Sequence, residues 1–244
     1  MAIRAERPRG LLFSVSIFFL FSCVTAGDFV HFMSEDIHHL LSPQPLGAIG
    51  LGGALTAGAF LLESSEGYEG FMGEGCLQNC SEICDIAFGL PLLGASAFVW
   101  GSGAVFDDRD TEETGQMLTE GLLLTYGITG VLKLASGRTR PDRSNTRSFP
   151  SGHASSTACA AVILWDSYGP GCGIPATAVA VFTALSRVTL GKHYPSDVIA
   201  GASIGTAIGL AVVLAHEDAS VSGQQIQPAL GIRWSNLEGF GVYF

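Results

Sequence analysis

The chain has 244 residues, of which 48% are hydrophobic and 14% are charged, and its mean hydropathy is +0.39. This composition excludes an intrinsically disordered chain and is not typical of a charged cytosolic enzyme. The formal net charge of −10 argues against nucleic acid as a partner, because non-specific nucleic-acid binding needs a basic surface. Five of the 12 basic residues nevertheless form a basic island that indicates an anion-binding site: Lys133, Arg138, Arg140, Arg143 and Arg147.

The N-terminus has the three parts of an export signal. Three arginines among the first nine residues form a positive region, and small residues at and before Ala26 are typical of a cleavage site. The apolar run between them, Leu11 to Val24, is too short for a comfortable membrane span. The sequence therefore predicts a signal peptide over residues 1–26 and an exported protein of the bacterial cell envelope, in the periplasm or in a membrane facing it. An uncleaved anchor is the alternative.

A short N-terminal segment, residues 27–45, follows the leader and carries three of the six histidines. We interpret His31, His38 and His39 as surface or partner-contact side chains rather than as metal ligands.

Three cysteines recur at every fourth position, Cys76, Cys80 and Cys84, which places them on one face if this stretch is helical. No histidine or further cysteine nearby completes the usual four-ligand metal set. In an exported protein a structural disulfide is the favoured interpretation. With Cys159 and Cys172 the mature chain has an odd number of cysteines, so the pairing stays open.

Six apolar segments with polar joints fill the middle of the chain. They lack the alternation of strands and are too long for strands, so we expect helices. The expected fold is an all-α six-helix bundle over residues 46–216, with Gly201, Gly205 and Gly209 allowing close helix packing. The expected helices are Leu46–Leu62, Ile86–Phe106, Leu118–Lys133, Ser151–Trp165, Gly173–Arg187 and Val198–Ala215.

The charges at the joints bear on whether these helices lie in a membrane. The uncharged segments are long enough to span one. The joint from Glu63 to Asp85, however, carries six acids and no lysine or arginine. If the N-terminus is exported and every helix spans, this joint and the basic island both lie in the cytoplasm, and the acidic joint opposes the positive-inside tendency. The sequence thus favours an exported bundle that is soluble or partly embedded, with full membrane embedding as the alternative.

The C-terminal tail, residues 217–244, differs from the bundle. Its polar first part is followed by two short alternating runs, Ala229–Trp234 and Phe240–Phe244, which predict a β-hairpin. The favoured interpretation is an edge ribbon packed on the domain, and an outer-membrane strand signal is the other.

Three polar pieces lie at joints between the apolar segments. Lys133 and Arg140 are seven positions apart, two helical turns, so they can project from one side near a helix end. Residues 150–153 form a Pro-Ser-Gly-His turn before a helix, whose first backbone N–H groups can bind an anion. His193 lies four positions before Asp197, and a carboxylate that accepts the imidazole Nδ1–H leaves Nε2 free as a nucleophile.

These pieces are expected to meet, because consecutive antiparallel helices bring the joints after the third and fifth helices to one end. Each piece alone has an ordinary interpretation, such as a solvated arginine, a structural histidine or a simple turn. Together they predict one site for an anion. Arg138, Arg143 and Arg147 are left unassigned, either widening the positive field or lying solvated in a loop.

The pattern Lys-x6-Arg-Pro, Pro-Ser-Gly-His and Ser-Arg-x5-His-x3-Asp resembles the tripartite signature of the type 2 phosphatidic acid phosphatase and vanadium haloperoxidase superfamily. All three pieces match without a gap in spacing, and the resemblance covers about Leu46 to Ala215. It implies that His193 attacks phosphorus to form a phosphohistidine, that Asp197 orients His193, and that His153 protonates the leaving alkoxide and then activates water.

The same resemblance implies a phosphate-binding set that needs no metal or cofactor, because positioning and cationic side chains carry such chemistry. That set is Lys133, Arg140, Ser151, Gly152 and Arg187. The implied activity is hydrolysis of phosphate monoesters or pyrophosphates, with lipid phosphates favoured over small esters and membrane association left open. A vanadate-dependent haloperoxidase and a non-catalytic envelope protein on the same fold are the alternatives.

Overall fold

The computed structural model describes residues 26–63 and 89–221. Within these two ranges every regular element is a helix, which confirms the all-α class there. The predicted leader, the cysteines at 76, 80 and 84 and the C-terminal hairpin lie outside the described residues. The seven helices are α1 (Ala26–His39), α2 (Pro43–Leu62), α3 (Leu90–Phe106), α4 (Arg109–Ser136), α5 (Gly152–Tyr168), α6 (Pro170–Thr189) and α7 (Pro195–Val221).

Two differences from the expected six helices stand out. The first is α1, a helix of 14 residues in the N-terminal segment, for which no apolar run predicts a helix. The second is the start of α4, which lies nine positions before the predicted Leu118. Asp108 caps this helix by accepting the Thr111 N–H at 3.3 Å, and acidic residues fill its first turn. Apolar periodicity does not predict this start of the helix, because its first turn is polar.

The last helix lies at the centre of the bundle, where α7 packs on α5 and α2 and also contacts α1, α4 and α6. Three glycines of α7, Gly201, Gly205 and Gly209, form a glycine stripe that explains the close approach of α7 to α5. A methyl group at Gly201, Gly205 or Gly209 would fall within 3.0 Å of an α5 atom or of the Ser151 carbonyl just before α5. The core beside this contact is apolar and includes Cys159, which has no disulfide partner among the described residues.

The outer surface of the bundle is strongly apolar. Three helices are long and apolar enough to cross a membrane, Pro43–Leu62, Pro170–Thr189 and Pro195–Ala219, and only 11% of the first of these is buried. Leu61 and Phe98 are 86% and 77% exposed. Soluble monomers rarely expose such continuous apolar surface. The structure therefore favours the membrane-embedded alternative over the soluble bundle.

Candidate functional site

The three polar pieces lie together at one end of the bundle, which we call the site end. It is formed by the C-terminal ends of α2, α4 and α6 and the N-terminal ends of α5 and α7. Ser151 N–H donates to the Asp197 carbonyl at 2.9 Å, which ties the start of α5 to α7. His193 N–H donates to the Arg187 carbonyl at 3.1 Å, which folds the loop after α6 back on that helix.

His193 lies in this loop with 1% of its surface exposed. Its Nδ1 is 3.6 Å from Asp197 Oδ2, a contact that is longer than a hydrogen bond. Burial, together with the positive charges of Lys133 and Arg140, lowers the pKa of His193 from 6.5 to about 4, against the opposing effect of Asp197. At neutral pH the imidazole is therefore uncharged, with a nitrogen lone pair available for attack.

Asp197, in the first turn of α7, is fully buried and saturated with donors. Its Oδ1 accepts from Arg138 Nη1 at 2.6 Å. Its Oδ2 accepts from the Ser148 hydroxyl and from the Tyr194 N–H, the latter at 2.9 Å. The orientation of this carboxylate toward His193 is thus fixed by several independent contacts.

Two of the predicted phosphate-binding residues hold buried polar atoms that have no hydrogen-bond partner among the described residues. One is Ser151 Oγ, in the N-cap residue of α5, which does not cap that helix with its side chain. The other is Arg140 Nε. Buried polar groups are nearly always hydrogen-bonded, so both atoms indicate a polar ligand at this position. Gly152 begins α5 beside them, and the first N–H groups of a helix have no acceptor within the helix.

Lys133, Arg187 and His153 also lie at the site end. Lys133 Nζ donates to the carbonyls of Pro150 and Arg147, the latter at 3.0 Å, which leaves one of its three donors for another acceptor. Arg187, in the last turn of α6, is only 2% exposed. His153 is half-buried in the first turn of α5. All eight predicted site residues therefore occupy the same end of the bundle.

The basic island is divided by the structure. Arg143 and Arg147 are exposed in the loop before α5. Lys192, to which the sequence assigns no role, forms an ion pair of 2.8 Å with Asp142 and so links that loop to the loop carrying His193. Burial opposes ionisation of Asp142, but its contacts with Lys192 and Ser144 outweigh burial and hold its pKa below the usual range.

Two residues of this site, Glu63 and Arg138, are not predicted by the sequence motifs. Arg138 donates to the carboxylates of both Glu63 and Asp197, each at 2.6 Å. Glu63 lies 75 positions before Arg138, just after the end of α2, and no motif spacing connects them. The sequence signal for Arg138 is its position inside the basic island, and this signal is weak because it does not separate Arg138 from Arg143 and Arg147. Among the described residues no group of three or more histidine, cysteine or acidic side chains is arranged to hold a metal ion.

Comparisons with known proteins identify a family and several relatives of similar sequence. The PAP2 superfamily model matches residues 117–220. A lipid A 1-phosphatase of Porphyromonas gingivalis is 35% identical over 101 residues, which are 39% of this chain and 23% of that relative. Phosphatidylglycerophosphatase B of Bacillus subtilis is 30% identical over 146 residues, 50% of this chain and 69% of the relative.

A solved structure shows the same fold. The crystal structure of a transmembrane PAP2-type phosphatidylglycerolphosphate phosphatase from Bacillus subtilis has a TM-score of 0.52 at 22% identity. The match covers 79% of this chain and 95% of that one. The chain spans about a quarter of the lipid A 1-phosphatase and about two thirds of phosphatidylglycerophosphatase B. From the sequence match and the shared fold, we conclude that the chain belongs to the PAP2 superfamily.

Proposed function

We propose that the chain is a metal-independent phosphatase that hydrolyses phosphate monoesters or pyrophosphates, chiefly lipid phosphates, through a phosphohistidine on His193. The observation that carries this proposal is His193 itself. It is a buried imidazole, uncharged at neutral pH, that lies against the fixed carboxylate of Asp197. Cationic side chains surround it, which suits a reaction that depends on positioning and charge neutralisation.

The reaction has two steps. In the first, His193 Nε2 attacks phosphorus, the N–P bond forms as the bond to the ester oxygen breaks, and His153 gives its proton to that oxygen. In the second, His153 takes a proton from water as the water oxygen attacks phosphorus, and the N–P bond breaks. The products are an alcohol and inorganic phosphate. Asp197 Oδ2, which lies 3.6 Å from His193 Nδ1, moves into hydrogen-bond distance of the Nδ1–H as the reaction proceeds and stabilises the positive charge of the intermediate.

The phosphoryl oxygens are bound in this proposal by the donors that converge at the start of α5. Ser151 Oγ and Arg140 Nε are the buried atoms that need an acceptor. The Gly152 N–H belongs to the first turn of α5 and adds the field of a helix N-terminus. Arg187 and Lys133 complete the positive charge around the transferred group.

Apolar grooves beside the site support a lipid substrate. One, of about 780 Å³, lies between α2 and α7 and reaches Arg138 and Phe149 at the site end. Another, of about 510 Å³, runs along α5, α6 and α7 from Ala154 to Trp165. Both open on the exposed apolar surface where lipid chains would lie. The two named relatives act, by their names, on lipid A and on phosphatidylglycerophosphate.

The test is phosphate release by the full chain, purified in detergent, from phosphatidic acid and from para-nitrophenyl phosphate in the presence of EDTA. We expect His193→Ala to lower the rate at least about 10³-fold, because it removes the nucleophile. His38→Ala, the same change at an exposed position on α1, is the matched control and leaves the rate unchanged. A wild-type rate in His193→Ala would refute the mechanism, and vanadate-dependent halide oxidation would favour a haloperoxidase.

We also propose that the site end faces away from the cytoplasm in the bacterial envelope. Since α2 ends at the site with Glu63, it begins at the opposite face if α2 to α7 all span. An outward-facing site then requires residues before α2 to stay cytoplasmic, which is incompatible with their export by a cleaved signal. We propose the outward-facing site for a chain whose residues before α2 stay cytoplasmic, and the labelling experiment distinguishes this arrangement from export by a cleaved signal.

Labelling with a membrane-impermeant maleimide tests this orientation. Cys172 is exposed near the start of α6, at the end opposite to the site, and Ser144→Cys places a thiol in the exposed loop at the site end. Each is tested alone, with the other cysteines replaced. In intact cells we expect Ser144→Cys to be labelled and Cys172 to react only after permeabilisation. The reverse pattern would place the site in the cytoplasm.

A further inference from the structure

Glu63 and Arg138 form a buried bridge from the end of α2 to Asp197. Arg138 Nη2 donates to Glu63 Oε2 at 2.6 Å, while Nη1 donates to Asp197 Oδ1 at 2.6 Å and to Ser196 Oγ at 2.7 Å. The Glu63 side chain is 6% exposed and that of Asp197 is fully buried. Removing either partner of such a pair leaves an uncompensated charge out of water, so the bridge holds its geometry firmly.

The plane of the Arg138 guanidinium is also fixed by aromatic rings. Its central carbon lies 4.1 Å from the ring centre of Tyr194 and 4.7 Å from that of Phe60. Tyr194 directly follows His193, and its N–H donates to Asp197 Oδ2 at 2.9 Å. The loop that carries the proposed nucleophile therefore also holds the guanidinium that binds Asp197.

Glu63 acts on the same carboxylate from a second direction. Its Oε1 accepts the Ser196 N–H at 2.7 Å, in the first turn of α7, and a carboxylate at a helix N-terminus is stabilising. Asp197 is the next residue along that turn. A single side chain from the end of α2 thus fixes both Arg138 and the helical turn on which Asp197 lies.

The division of contacts on Asp197 shows what the bridge does for His193. Arg138 takes Oδ1, so Oδ2 is the oxygen that faces His193 Nδ1. Because both terminal nitrogens of Arg138 already bind Glu63, Ser196 or Asp197, this arginine is aimed at the carboxylate and not at the phosphate. Arg140, with its buried Nε lacking a partner among the described residues, has the opposite character.

We propose that Arg138 and Glu63 are positioning residues that select the orientation of Asp197 and through it the reactive tautomer of His193. This inference rests on the proposed phosphatase function and adds to it a control element supplied by the end of α2. Arg138 acts through Asp197, so its loss lowers kcat and leaves KM nearly unchanged. Loss of a phosphate ligand such as Arg140 raises KM as well.

The experiment compares Arg138→Ala, Arg138→Lys and Glu63→Gln in the full chain, alone and combined with Asp197→Asn. We expect Arg138→Ala to lower kcat about 10- to 100-fold, the loss typical when a residue that orients a functional side chain is removed. We expect KM to stay within about threefold of the wild-type value. Combined with Asp197→Asn, Arg138→Ala adds little further loss, because both changes remove the same alignment. In Arg138→Ala alone we expect the acidic limb of kcat/KM to move to higher pH. The loss of the arginine charge leaves the negative charge of Asp197 unbalanced, and that charge raises the pKa of His193.

The two conservative variants keep the test decisive if Arg138→Ala does not fold. Arg138→Lys retains a charge but cannot bridge two carboxylates with a planar fork, so we expect a kcat loss of about tenfold. Glu63→Gln retains an acceptor for the Ser196 N–H but loses the ion pair, so we expect a smaller loss in the same direction. Arg143→Ala, the same change in the same loop at an exposed position, is the matched control and keeps the wild-type kcat.

The outcomes separate this inference from the proposed function. Unchanged kcat in Arg138→Ala, losses that add fully to those of Asp197→Asn, or a raised KM with intact kcat would each overturn the positioning role. His193→Ala is measured beside these variants, and its inactivity shows that the rates report the proposed reaction. If His193→Ala keeps the wild-type rate, the phosphatase mechanism itself fails, whatever the Arg138 variants do.

Discussion

The low pKa of His193 makes a quantitative prediction about activity in acid. A histidine of ordinary pKa would be protonated, and unable to attack phosphorus, over most of the range below pH 6. Burial and the charges of Lys133 and Arg140 lower the pKa of His193 to about 4 instead. We therefore expect the acidic limb of kcat/KM that belongs to the free enzyme to lie near pH 4.

The magnitude is large enough to separate the two cases. The difference between a pKa of 6.5 and one of about 4 corresponds to about 3 kcal/mol of preference for the neutral imidazole. At pH 5.5 about 97% of the imidazole is neutral with the lower pKa, against about 9% with the ordinary value. The expected difference in kcat/KM at that pH is therefore about tenfold.

The assay measures kcat/KM for para-nitrophenyl phosphate between pH 3.5 and 8, corrected for the ionisation of the substrate. The same profile is taken for His153→Gln, which removes the other imidazole of the site and so assigns the limb that remains. A limb near pH 6.5 that persists in His153→Gln would refute the reasoning, because it would show His193 to be ordinarily basic.

Two further predictions concern stability in detergent. Gly205→Ala should lower the free energy of unfolding by about 1–3 kcal/mol, because its new methyl group would meet the Ser155 carbonyl, a backbone atom that cannot move aside. The thermal midpoint measures this loss. Gly127→Ala, whose methyl group would meet no atom within 4 Å, is the control. Burial and the charge of Glu120 raise the pKa of Asp36 from 3.8 to about 7, so its contribution to stability is present at low pH and is lost as the pH rises through 7. Asp36→Asn should flatten this decline in pH-dependent unfolding, and an equally steep decline in the variant would contradict it.

The parts of the structure that sequence could predict are those encoded by nearby residues. Long apolar runs identify the helices from α2 to α7, and short motifs identify Lys133, Arg140, His153, His193 and Asp197, because one turn or helix end fixes each spacing. The first turns of α4 and the whole of α1 contain no such run, so the sequence does not predict them. The burial of Asp36 on α1 is visible only once the bundle packs against that helix.

The contacts that sequence could not predict are those made by distant segments meeting at the site end. Glu63 and Arg138 are 75 positions apart, and nothing local in either segment identifies the other as a partner. Their meeting follows from the packing of α2 against α7, which brings the end of one helix to the first turn of the other. A motif can thus name the groups proposed to touch the phosphate, whereas the groups that orient them depend on tertiary packing.

The glycine stripe of α7 contributes to the rigidity that the proposed phosphoryl transfer needs. Close contact of α7 with α5 lets the Ser151 N–H reach the Asp197 carbonyl, so the start of α5, the proposed anion-binding helix, is joined to the residue proposed to orient His193. A side chain at Gly201 would collide with the Ser151 carbonyl and separate these two groups. Since catalysis of this kind depends on positions held to within about 0.5 Å, the small residues of α7 serve the site as well as the packing.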